Sequence, residues 1–158
     1  ELIRAGANHL SDDLVVVEVD TLTVRPGAPC VHLRRPVGSV AESVGSGEVG
    51  PGKAWFRLPP ERLQMHAVPL VGMVVLEPEP SQATPEIVPL QGRDALERLL
   101  SHSFALDRAH PELGLRRLRQ VSSLQRSVPV YAMRFARSAD GRPQHVPALA
   151  AFLRERTR

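Results

Sequence analysis

Two apolar runs, "LVVVEV" beginning at Leu14 and "AVPLVGMVVLEP" beginning at Ala67, most narrowly limit what this chain can become. Each is the length of a β-strand and far short of the ~20 residues that a membrane-spanning helix needs. Leu14 to Val17 is a continuous, mostly β-branched run of the kind buried on both faces of a parallel sheet, and Val68 to Leu76 reads as a second core strand. Shorter strands are predicted at "TLTVRPG" and "CVHLRR", separated by a turn at Pro26-Gly27, and at "AWFRLP".

Helices are predicted in the second half. "RDALERLLSHSF" places Leu96, Leu99, Leu100 and Phe104 on one face, and "PELGLRRLRQVSSLQRS" repeats Leu115, Leu118 and Val121 after a first-turn Pro111. "VPVYAMRFAR" reads as a strand and "VPALAAFLRERTR" as a closing amphipathic helix. "PSQATPE" is a surface turn, and residues 36–53, with five of the eleven glycines, are a Gly-rich loop. The 158 residues therefore predict one α/β domain, a mixed central sheet flanked by helices.

At the other end, "ELIRAGA" reads as the last turns of a helix stopping near Gly6, which predicts that the natural chain extends upstream of Glu1. No secretory signal is visible, and the lone Cys30, read as a buried structural thiol, suits a reducing cytoplasm. The net charge of +3 comes almost wholly from arginine, since Lys53 is the only lysine. Arginines alternate with acids, and only 4% of residues are aromatic, so no nucleic-acid or membrane partner is expected. The densest basic run, Arg116, Arg117 and Arg119, reads as a solvated helix face.

"GSGEVGPGK" has the spacing of a phosphate-binding loop, from Gly47 to Gly52 and Lys53. The next residue is Ala54, where such a loop needs Ser or Thr for magnesium, and Pro59-Pro60 stand where a helix should open. The match is read as a decoy. The histidines show no helical metal-ligand spacing; His102 reads as an ordinary helix histidine, and His32 beside Arg34 and Arg35 as a basic strand edge that could meet a phosphate.

The strongest chemical candidate is Asp12 with Asp13, ahead of a hydrophobic strand. In extended chain neighbouring side chains point to opposite faces, so the two are expected to have different partners. One could hold magnesium while the other accepts the proton of an attacking hydroxyl. Ser11-Asp12-Asp13 can equally be a turn and cap.

"RAGANHLSDDLVVV" resembles the segment downstream of the phosphate loop in the HPr kinase/phosphorylase catalytic domain and its HPr-kinase-like relatives. The resemblance implies an HPr-kinase/PEP-carboxykinase-like P-loop fold lacking its N-terminal strand and loop. It implies ATP-dependent phosphoryl transfer to a hydroxyl of a peptide, protein or small molecule in the intact protein. Asp12 would be the acid/base and Asp13 would lie by Mg2+, or the reverse, with Ser11 beside the cofactor; tight binding of ATP by residues 1–158 alone is not expected. An inactive relative acting as a binding module for a peptide or carrier protein is the alternative. A homo-oligomer is a family habit.

Overall fold

The computed structural model describes residues 2–3, 6–34, 44–82, 84–104, 110–136 and 145–156. They form a mixed α/β structure with three three-stranded sheets and three α-helices among the described residues. The chain divides into two compact units where the sequence predicted one domain built on one central sheet. The first holds Glu1–Glu18 and Thr23–Val68, and the second holds Val19–Leu22 and Pro69–Arg158.

The first unit is made of short antiparallel strands. β1 (Val16–Glu18) pairs with β2 (Thr23–Arg25), and β3 (Cys30–Arg34) and β4 (Gly45–Gly50) flank β5 (Lys53–Arg57). β6 (Val68–Pro69) follows β2 in the order β1-β2-β6. Residues 45–50, expected to be loop, are thus an edge strand, and Pro51-Gly52 turn the chain into β5. Gly50 at φ +151° and Gly52 at φ +71° occupy backbone conformations that side chains resist, which is why glycine punctuates this hairpin. The remainder of the predicted loop, 36–43, lies outside the described residues.

The apolar run at Leu14 does not become a buried parallel strand. Leu14, Val15 and Val16 are 53%, 49% and 54% exposed, and the strand begins only at Val16. The Ser11 hydroxyl donates to the Leu14 carbonyl, which holds the preceding residues in a turn, and β1 has its partner on one edge only. At the N-terminus, Gly6 N–H donates to Ile3 O (3.0 Å) and Ala7 N–H to Leu2 O (3.1 Å), with Gly6 at φ +97°. These bonds have the pattern found at helix ends, but residues 2–3 and 6 form a turn, and no helix is present there among the described residues.

The second unit is built around β9 (Val130–Phe135), which lies between β7 (Met73–Pro78) and β8 (Glu86–Leu90). β7 runs parallel to it and β8 antiparallel. Both faces of β9 are covered, and Ala132 and Met133 have no exposed surface. α1 (Gly92–His102) sits on the face of Val130, where Ala95, Val75, Leu90 and Leu99 meet in the core. α3 (His145–Arg156) covers the other face: Phe152 packs edge-on against Tyr131 at 4.9 Å, and His145 lies 4.0 Å from the Phe135 ring.

α2 (Pro111–Ser127) begins at its expected proline but buries only Val121. Leu115 and Leu118, expected on its inner face, are 54% and 40% exposed. Phe104, expected on the face of α1, lies beyond its end and is 65% exposed. Arg117 is not a solvated charge: it donates to Ser103 Oγ (2.6 Å), to Ser103 O (2.8 Å) and to Leu100 O. It supplies donors and positive charge to the carbonyl end of α1, where the helix dipole is negative.

Candidate functional site

The site grows from a turn. Ser11 Oγ bonds to Leu14 O, and Gly27 closes against it, its N–H donating to Leu10 O at 2.8 Å. A Cβ at Gly27 would run into the Ser11 side chain, so only glycine lets the segment after β2 approach this closely. The Asp12-Asp13 bend lies against His32, in the middle of β3.

Asp12 Oδ2 accepts the backbone N–H of His32 at 2.8 Å and meets His32 Nδ1 at 2.9 Å. Asp13 Oδ2 lies 3.5 Å from the same ring nitrogen and 3.7 Å from Lys53 Nζ. The expectation of opposite faces and separate partners is therefore overturned. The aspartates sit in a bend, where strand alternation does not apply, and both carboxylates converge on His32. Their side chains are 29% (Asp12) and 69% (Asp13) exposed, so Asp12 is the anchored member and Asp13 the accessible one.

The antiparallel register of β3 and β5 pairs His32 with Trp55 and Arg34 with Lys53, which brings the lone lysine diagonally next to the imidazole. Lys53, set aside with the decoy loop, thus belongs to the cluster. His32 was read as a basic strand edge that could meet a phosphate, but its union with the aspartates and Lys53 was missed, because the pairing that brings them together joins segments far apart in sequence. The signal available was local: the sole lysine and sole tryptophan stand two residues apart, just after alternating glycines. Ser11 is beside the site, but its hydroxyl hydrogen is committed to the turn.

Asp12, Asp13 and His32 can each offer one donor atom within 4.8 Å of the others. Two carboxylates match the way Mg2+ is ordinarily held, by one or two carboxylates together with phosphate oxygens. The imidazole extends the donor set toward Mn2+ or Zn2+, at the cost of its bond to Asp12. The second unit offers a different kind of cavity, a cleft of about 400 Å³ lined by Gln91, Gln125, Arg126, Ser127 and Tyr131 among others. Its lining has no carboxylate, imidazole or thiol.

Among the described residues no helix is long and apolar enough to cross a membrane. Searches of protein-family models, curated proteins and solved structures find no match to this chain.

Proposed function

We propose that the first unit binds a divalent cation and a phosphate-bearing ligand, and that in the intact protein this site serves phosphoryl transfer from ATP to a hydroxyl. The observation that carries the reading is the convergence of Asp12, Asp13 and Lys53 around His32. The likeness of "AGANHLSDDLVVV" to the HPr-kinase-like segment supports the same chemistry.

Asp12 and Asp13 would hold Mg2+, which when bound neutralises phosphate charge. Mg2+ seeks oxygen, so His32 keeps its bond to Asp12. That bond fixes the ring and leaves Nε2 to take the proton of an acceptor hydroxyl, with Asp12 stabilising the imidazolium. The Lys53 ammonium adds a second positive charge beside Asp13. The acid/base role thereby moves from Asp12 itself to the Asp12–His32 pair.

A second reading, binding without turnover, is favoured by one observation. Gly45 to Gly52 form a strand and turn, so they do not open a helix as a phosphate loop does. One pair of measurements separates the two. With Mn2+ as probe, NMR of the full chain should show His32 ring signals broadening first in the wild type and not in Asp13→Asn. In the intact protein, transfer of labelled γ-phosphate to a serine peptide should disappear in both Asp12→Asn and Asp13→Asn. Broadening without transfer in the wild type leaves the binding module, and unselective broadening across the histidines removes both readings.

A further inference from the structure

The sheet face that carries His32 carries a second arrangement. Along β5 the side chains of Lys53, Trp55 and Arg57 fall on one face, because successive residues alternate. In register beside them on β4 stand Gly50, Gly47 and Gly45, a strip with no side chains at the edge of the sheet. The indole lies along that strip. A Cβ at Gly47 would be 2.5 Å from its Nε1, and one at Gly45 would be 3.9 Å from Cζ3, so its long axis follows the strand.

Covering edge glycines with an aromatic ring stabilises a sheet, and this accounts for the ring lying down. It does not account for the charges. Both neighbours of Trp55 on its face of β5 are cations, in a chain with a single lysine. Among the described residues, the Lys53 side chain, 43% exposed, has an ion-pair contact with Asp13, and Arg57 is exposed with no side-chain partner. Trp55 itself is half-buried, with its ring against the glycine strip.

We infer that Trp55, Lys53 and Arg57 form a platform for a planar ring carrying a phosphate, the chemistry of a nucleoside phosphate. The ring stacks on the side of the indole turned away from the glycine strip. The phosphate goes to Lys53, at the end of the platform where His32 and Asp13 meet, while Arg57 adds positive field from the far end. This goes beyond the cation site and does not require it, since none of the three residues is among the candidate metal ligands.

Trp55 is the sole tryptophan, so its fluorescence reads the site directly. The full chain is titrated with adenosine 5′-monophosphate, with adenosine and with ribose 5-phosphate, all in the presence of a chelator. The monophosphate should quench saturably, adenosine should bind about tenfold more weakly, and ribose phosphate should not quench. Lys53→Gln should bring the monophosphate down to the level of adenosine, with a smaller loss for Arg57→Gln and no change in the emission of either free variant. Equal affinity for adenosine and its monophosphate, indifference to Lys53→Gln, or no saturable quenching overturns the assignment. So does a single-stranded oligonucleotide that binds far more tightly than the monophosphate with a steep salt dependence, which would make the face a nucleic-acid surface. The chelator separates the two proposals: loss of the cation site leaves these titrations unchanged.

Discussion

At the scale of single residues, Gly47 and Trp55 carry a stability argument that does not depend on any ligand. A methyl group at position 47 meets the indole edge within 3.0 Å at three ring atoms, so the ring must move or the edge strand must tilt. Gly47→Ala is expected to cost about 1–3 kcal/mol, read as a lower urea midpoint at unchanged slope, with a red shift of Trp55 emission. Wild-type emission in the variant would mean that the ring does not rest on the strand. The residue scale is also where the candidate site was half legible. Adjacent carboxylates announce themselves in any sequence, and Asp12 and Asp13 stand in the cluster. Their geometry did not follow, because alternation was applied to residues that a Ser11 hydroxyl and a close glycine hold in a bend.

At the scale of elements, periodicity found the strands and helices better than it found their insides. α1 and α2 lie where the apolar spacing put them, yet α2 leaves Leu115 and Leu118 largely exposed. A helical pattern states which residues share a face; tertiary packing decides whether that face is covered. Arg117 shows the converse, a charge read as solvated that closes the end of another helix. Arg117→Ala should lower the stability of the second unit by about 1–2 kcal/mol, whereas Arg119→Ala, exposed on the same helix, should stay within about 0.5 kcal/mol. Equal costs in thermal unfolding would show that Arg117 caps nothing. At the start of α3, burial against Phe135 holds the His145 imidazole below its ordinary pKa. As acid is added, the unfolded chain takes up this proton before the folded unit does. The contribution is therefore complete above the unfolded value of about 6.5 and is lost as the pH falls through the lower folded value. His145→Gln should flatten this part of the profile of stability against pH, and an unaltered profile would place the ring in water.

At the scale of the whole molecule, mixed α/β character was readable from strand-sized runs followed by helical periodicity, but the division into two units was not. The "LVVVEV" run suggested a strand buried on both faces of a parallel sheet, and it instead leads into a small antiparallel sheet with Leu14 to Val16 exposed. The division supplies its own test, because the sole tryptophan lies in the first unit and all three described α-helices lie in the second. Denaturation followed by Trp55 fluorescence and by helical circular dichroism should give midpoints that do not coincide. Superimposable curves would show one cooperative structure.

The placement of β9 between two strands made before it has a consequence for the protein during its synthesis. β7 and β8 emerge from the ribosome first, but neither is the other's neighbour; each waits for a strand that lies beyond both α1 and α2. Until Phe135 has been added, the nascent chain presents two apolar edges with nothing between them, the form of strand most prone to pair with another chain. A product stopped at Ser127 should therefore collect in aggregates, while one that runs through Phe135 has the strand that closes the sheet.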